Sequence, residues 1–137
     1  MAGSQHIDST PAPSGALANV VLIGVTCDSS VYVKAAVKMN VSGVAFNALA
    51  DSEANSNVIG LCVKKLSTTK CNIRVLGVTA PLFTGLDPTK TYFLSDTVEG
   101  EITTVVPTAS GHVVLPLGQP FSGTEFFIKK EIRQVRS

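Results

Sequence analysis

The sequence predicts an all-β protein, a single β-sandwich or barrel (jelly-roll-like) domain with an extended N-terminal arm. Its apolar runs are short and rich in Val, Ile and Thr, which suit a pleated, half-buried surface. Turn-forming residues separate these runs at a spacing of roughly 8–12 residues, typical of sandwiches and barrels. The length of 137 residues fits one domain. We assign residues 1–19 to the arm and residues 20–137 to the β-domain.

The arm is predicted to be flexible. Pro11 and Pro13 exclude a helix there, because proline fixes φ and has no N–H to donate. The arm contains no Lys or Arg, so it lacks the basic region of a signal peptide. No apolar run reaches the roughly 20 residues that a membrane span requires. The sequence therefore predicts a soluble, unsecreted protein with no membrane partner.

The domain itself divides into strand-like runs and turns. A weakly helical stretch, Asn47–Val58, predicts one helical turn or a loop. Pro107 and Pro116 lie close to strand ends and indicate sheet edges or bulges. The runs predicted as strands are, in chain order, Val20–Val25, Val31–Lys38, Val44–Leu49, Val58–Leu66, Asn72–Val78, Thr91–Leu94, Ile102–Val106, His112–Leu115 and Glu125–Lys129.

The three cysteines are Cys27, Cys62 and Cys71. An odd number cannot close entirely into intramolecular pairs, and their spacing matches no C-x-x-C motif or zinc-binding Cys/His pattern. We predict three buried, reduced thiols, as in a protein assembled in a reducing cytosol, with no metal and no cofactor.

Charge is nearly balanced, with 11 basic and 10 acidic residues and a formal net charge of +1. This balance argues against direct nucleic-acid binding, which needs a surplus of cations to neutralise phosphates. The C-terminal segment Lys129–Arg136 is an exception, with four positive charges and one negative. We interpret this segment either as a solvated edge strand protected by its charge or as a docking tail for an acidic surface.

Catalytic residues are not predicted, and the chain is not expected to be an enzyme. His6 lies in the arm and His112 at a strand start, and neither has a carboxylate partner at a fixed spacing. Glu99 and Glu101 flank Gly100 at a turn and are expected to face water, unlike a glycosidase pair. The dispersed glycines form no phosphate-binding loop. A small hydrolase remains only as a third hypothesis.

An ordered series of short motifs runs through the second half of the chain: Val58–Leu61, Ile73–Gly77, Phe83–Ser95, Glu99–Thr104, Val106–Thr108, Gly111–Ser122 and Glu125–Ile128. It resembles a β-domain widespread in virion proteins of tailed bacteriophages. The pattern there is G-L-x-P-G-x-x-Y-x-L, then G-x-I/L-T-T-x-x-P, then G-x-V-V-x-x-V/L-G. Ala48–Ala54 and Val31–Val33 resemble further segments of it. Thr89 departs from the pattern, which has glycine after the proline.

This resemblance implies a virion structural protein without enzymatic activity. Such domains occur in head decoration (cement) proteins and in head or tail fibres. The chain has no sequence repeats that would build a fibre shaft. We therefore expect a cement protein that binds the outer face of the major capsid lattice and bridges its subunits. It would be made in the host cytoplasm, reside on the capsid exterior and self-associate as a dimer or trimer.

The alternative is a short head or tail fibre, baseplate or adaptor protein involved in host attachment. Exposed aromatic residues around a loop would favour it, and Tyr32, Phe83 and Tyr92 are the candidates.

For the cement function, the expected partners are the major capsid protein and further copies of this chain. The candidate capsid contacts are Ile7, Pro11, Ala12, Pro13, Ser14, Gly15 and Ala16 in the arm and Lys129, Lys130, Arg133 and Arg136 in the tail.

Overall fold

The computed structural model describes residues 19–137, and this part of the chain is all-β, as predicted. Its helical content is a single 3₁₀ turn, Ala54–Ser56, inside the stretch for which one helical turn or a loop was predicted. None of the described residues forms a helix long and apolar enough to cross a bilayer. The strands are β1 Val20–Thr26, β2 Ala36–Met39, β3 Ala45–Asn47, β4 Val58–Ser67, β5 Lys70–Val78, β6 Tyr92–Leu94, β7 Ile102–Thr103, β8 Val113–Val114, β9 Pro116–Pro120, β10 Phe126–Ile128 and β11 Gln134–Val135.

The strands form one curled antiparallel sheet, a half-barrel. Its hydrogen-bonded path is β3-β2-β4-β5-β10-β9-β6-β7, and β1 also pairs with β5. Cys27, directly after β1, forms a parallel bridge with Ala45 of β3. This bridge brings the two ends of the first five strands together. β8 and β11 form a separate two-stranded ribbon.

Two clusters of buried side chains fill the fold. One contains the three cysteines and lies among the first five strands with Val37 and Ile73. The other surrounds Phe126 of β10, whose ring packs edge-on against Tyr92 and at a tilt against Phe83. The second cluster fixes the loops that form the cleft described below.

The predicted strand Val31–Lys38 is shorter in the structure because a turn occupies its first half. The N–H of Ala35 donates to the carbonyl oxygen of Tyr32 at 3.0 Å, and Lys34 has a φ of 88°. A positive φ at the third position is characteristic of a type II turn, which glycine normally fills. β-propensity alone does not reveal this turn.

β9 was not predicted, because prolines stand at both of its ends. Pro116 is its first residue, where a missing N–H costs little, and the register with β6 shifts at Pro116, opposite Phe93. An edge or a bulge was predicted at this proline. β9 pairs with both β10 and β6, so it is not an edge, and the register shift marks a bulge or irregularity in the pairing. β7 ends earlier than predicted because the Thr103 hydroxyl accepts the N–H of Val105 at 3.1 Å, which turns the chain.

The three cysteines are free and buried, as predicted. Burial raises the pKa of the Cys71 thiol to about 12, and the neighbouring thiols of Cys27 and Cys62 act in the same direction. Burial also raises the pKa of Cys62. The folded protein therefore favours the protonated, unreactive form of the Cys62 and Cys71 thiols.

We expect stability to fall as the pH rises above the ordinary thiol pKa of 9.0 towards the pKa of about 12 of folded Cys71. In this window the unfolded chain has released the Cys71 proton and the folded chain has not. The Cys71 contribution is complete below pH 9.0 and decreases by about 1.4 kcal/mol per pH unit above it.

Urea unfolding at several pH values measures this slope. The control is Cys71→Ala, which should unfold with a shallower alkaline slope. Equal slopes for the two proteins would contradict the assignment to Cys71.

Candidate interaction surfaces

The C-terminal tail, residues 129–137, folds back onto the domain. β11 pairs with β8. The pairing continues beyond β11, because the N–H of Arg136 donates to the carbonyl oxygen of His112 and its own carbonyl accepts the N–H of Gly111, both at 2.8 Å. The tail is therefore an edge strand, one of the two arrangements considered for it.

The predicted tail cations divide into two groups. The Lys129 side chain makes no hydrogen bond or ion pair with the described residues and lines a cleft of about 180 Å³ together with Glu131. The others donate to backbone carbonyl oxygens of neighbouring loops: Lys130 Nζ to Val58 at 2.6 Å, Arg133 Nη1 to Glu53 at 3.0 Å and Arg136 Nε to Pro107 at 3.0 Å. These three contacts hold the tail in place, and within the tail Lys129 has the free ammonium group.

Replacing both Arg133 and Arg136 by alanine is expected to lower the free energy of unfolding by about 1–3 kcal/mol, because charged hydrogen bonds to two loops are lost. Urea unfolding measures the change. The control is Lys129→Ala, which removes a cation without such a contact and should stay within about 0.5 kcal/mol of the parent protein. An equal loss in both variants would mean that the arginine contacts do not anchor the tail.

The predicted arm contacts, Ile7 and Pro11 to Ala16, lie outside the described residues. The described chain begins at Asn19, whose Oδ1 accepts from Arg74 Nη1 at 2.9 Å. β1 follows at once and pairs with β5 alone among the strands of residues 19–137. Ile23 of β1 is 71% exposed, and Val20 is exposed as well. The arm thus joins the domain at a sheet edge that carries apolar side chains.

Tyr32, Phe83 and Tyr92, the aromatic candidates for host attachment, line one cleft of about 290 Å³. Sequence separations of up to 60 residues concealed this convergence. The cleft is open to solvent, with buried Phe83 and Tyr92 on its inner side and the half-exposed Tyr32 on its side wall. The remaining lining residues are Lys34, Thr84, Leu86, Gly100, Glu101 and Ile102.

Hydrogen bonds fix both tyrosines of the cleft. The Tyr32 hydroxyl donates to the carbonyl oxygen of Glu99 at 2.7 Å, and the Tyr92 hydroxyl accepts the N–H of Asp87 at 3.0 Å. Burial, followed by the negative charges of Glu101 and Glu99, raises the pKa of Tyr32. The phenol is therefore a neutral donor under ordinary conditions. Glu99 and Glu101 are both exposed, as predicted.

The Lys34 ammonium lies 5.8 Å from the centre of the Phe83 ring. This distance permits a cation–π interaction. The ammonium makes no hydrogen bond or ion pair with residues 19–137. Lys34 therefore offers unused donors at the cleft.

His112 has a carboxylate partner that spacing did not reveal. Its Nδ1 lies 2.8 Å from Oδ2 of Asp96, sixteen residues earlier in the chain. The sequence expectation of no obvious partner was wrong, because β6 and β8 bring the two residues together only in the fold. Its other ring nitrogen makes no hydrogen bond to any described residue. The contact with Asp96 orients the imidazole beside the tail, whose Arg136 N–H donates to the carbonyl oxygen of His112.

Residues 19–137 contain no group of three or more His, Cys, Asp or Glu side chains arranged to hold a metal ion. Comparisons with protein-family models, curated proteins and solved structures found no match to the chain.

Proposed function

We propose that this chain is a non-enzymatic virion structural protein of a tailed bacteriophage, a cement protein that binds the outer face of the capsid lattice. The observation that carries the proposal is the ordered series of motifs from Val58 to Ile128. In the structure these motifs lie on β4 to β10 and their connecting turns; β8 belongs to the two-stranded ribbon and the other six strands to the curled sheet. The proposal thus rests on a pattern that coincides with the architecture of the domain.

The β1 edge is the surface that we assign to the capsid. A strand paired on one side presents backbone N–H and C=O groups that an extended segment of a capsid subunit can pair with. Val20 and Ile23 add apolar area, which contributes about 25 cal/mol per Å² when buried. The arm begins at the same edge and extends this contact, at an entropic cost on ordering.

Bridging is the mechanical consequence of this arrangement. Each copy contacts one capsid subunit through β1 and a neighbouring subunit through the arm. Lys129 provides a free positive charge for an acidic patch. The buried area opposes separation of the subunits when packaged DNA presses outward.

A fibre, baseplate or adaptor function is the second candidate. Tyr32, which is 40% exposed at the cleft, favours it, because exposed aromatic side chains suit attachment to a host surface. Phe83 and Tyr92, the other two candidates, are buried and do not meet this criterion. Under this function the protein would be present in a few copies at a vertex or tail.

A shell-binding assay tests the β1 edge. Purified protein is mixed with capsids that lack it, and the bound fraction is measured by co-sedimentation. Ile23→Lys places a charge on the edge and should weaken binding at least about tenfold, since edge lysines oppose strand addition.

The matched control is Val105→Lys, just after β7, where the valine is 71% exposed, as Ile23 is. It introduces the same charge away from the β1 edge and should bind as the parent protein does. Equal binding by Ile23→Lys and the parent protein would exclude the β1 edge as the capsid contact.

A further inference from the structure

The cleft lined by Tyr32, Lys34, Phe83, Tyr92 and Glu101, here called the aromatic cleft, has the dimensions of a small-ligand site. Its volume of about 290 Å³ is at the lower end of ligand pockets, which start at about 300 Å³. Phe83 and Tyr92 are anchored by packing on Phe126, so the inner wall is rigid. This space suits a single ring, not an extended chain.

The polar groups of the cleft have opposite and complementary hydrogen-bonding capacities. Lys34 can only donate, and ionised Glu101 can only accept, while the Thr84 hydroxyl can do both. Lys34 and Glu101 both line the cleft, and the two side chains form no ion pair with each other. An anion would be attracted by Lys34 and repelled by Glu101, and a cation would experience the reverse, so the two charges oppose each other for either ion. The charges therefore favour a neutral ligand whose neighbouring groups both donate and accept.

The apolar walls of the cleft place a second requirement on the ligand. Aromatic rings carry negative charge on their faces, which attracts the slightly positive C–H groups of a ring such as a pyranose. Tyr32 is 40% exposed and presents part of its ring to the cleft. A pyranose ring combines both features, with vicinal hydroxyls around its rim and C–H groups on its face.

Lys34 is held in a costly backbone conformation. A φ of 88° places it in the left-handed region, where a residue other than glycine is strained by about 1–3 kcal/mol. Its N–H donates to the carbonyl oxygen of Cys62 at 2.7 Å, which fixes the turn against β4. A glycine would fit this turn without strain, whereas lysine places an ammonium group over the Phe83 ring at the cleft.

We infer that the aromatic cleft binds one neutral hexose or N-acetylhexosamine ring. Lys34 and Thr84 donate to its hydroxyls, Glu101 accepts from them, and the exposed part of the Tyr32 ring contacts its C–H face. This inference goes beyond attachment to the capsid, because the cleft residues are separate from the β1 edge. It would give the bound protein a weak affinity for surface glycans.

Two-dimensional ¹H–¹⁵N NMR titration tests the inference with glucose, galactose, mannose and N-acetylglucosamine as neutral probes and N-acetylneuraminic acid as the anionic probe. At least one neutral sugar should shift the amide signals of Tyr32, Lys34, Gly100 and Glu101, with a dissociation constant on the order of 1 mM. The inference is overturned if no neutral sugar shifts these signals, if the shifts occur elsewhere, or if the anionic sugar binds most tightly.

Two charge-matched variants locate the acceptor. Glu101→Gln should weaken sugar binding about tenfold, because a charged hydrogen bond is lost. Glu99→Gln removes the same charge two residues away, outside the cleft lining, and should leave the dissociation constant within about twofold. Equal effects of the two substitutions would contradict a contact between Glu101 and the sugar.

Lys34→Gly separates binding from folding. The variant should unfold at a higher urea concentration than the parent protein, because glycine removes the backbone strain. It should also bind the sugar about tenfold more weakly, because the donor is lost. Unchanged sugar affinity in this folded variant would overturn the role of Lys34.

Discussion

Gly118→Ala is expected to lower the free energy of unfolding by about 3–5 kcal/mol, the sum of backbone strain and a steric overlap that cannot relax. Gly118 lies in β9, between β10 and β6, with a φ of 147° that side chains rarely adopt. A Cβ atom there would overlap the backbone oxygen of Phe127. Relief would require separating β9 from β10, and urea unfolding measures the cost.

Gly85→Ala is the matched control. Gly85 also has a positive φ, 68°, but no atom lies within 4 Å of a Cβ built there. Only the left-handed strain of about 1–2 kcal/mol applies. Similar losses in the two variants would show that β9 and β10 are not in the close contact described.

Phe126→Ala is expected to cost about 3–5 kcal/mol, the usual range for removing a buried aromatic side chain. Phe126 is fully buried, with ring centres 5.8 Å from Tyr92 and 6.0 Å from Phe83. Its removal leaves a cavity behind the aromatic cleft. The variant should therefore also lose sugar binding. This loss is measured without urea, under conditions in which the variant stays folded.

Phe121→Ala is the control for this substitution. Phe121 is 63% exposed, so the same change in side chain should alter the free energy of unfolding by no more than about 0.5 kcal/mol. Comparable effects of the two substitutions would contradict the placement of Phe126 at the centre of the core.

Most strands could be predicted from the sequence, because alternation and β-branched residues report local burial. β1, β4 and β5 lie close to their predicted ranges. The strand predictions failed where the backbone conformation, and not the β-propensity of the residues, determined the structure. The turn at Lys34 shortens one predicted strand, and the two prolines of β9 conceal another.

The candidate surfaces were predictable only in part. The sequence showed the positive charge of the tail, but it did not show that most of these cations donate to backbone carbonyl oxygens of the domain. A side chain that donates to a carbonyl many residues away, as Lys130 does to Val58, leaves no local pattern. The His112–Asp96 pair escaped prediction for the same reason.

The residues of the aromatic cleft could be predicted from the sequence, but their arrangement could not. Tyr32, Phe83 and Tyr92 could be named as candidates because the sequence contains few aromatic residues. Their convergence depends on the curl of the sheet, which no residue spacing encodes. The strain at Lys34 is a property of the folded backbone alone.

The cement function is the central claim, and copy number in purified virus particles tests it most directly. Quantitative mass spectrometry would compare peptides of this chain with peptides of the major capsid protein in the same particles. A symmetric lattice decorated on its outer face predicts a ratio on the order of one copy per capsid subunit. A ratio that corresponds to a few copies per particle would instead assign the protein to a vertex, fibre or tail, and its absence from particles would contradict both structural functions.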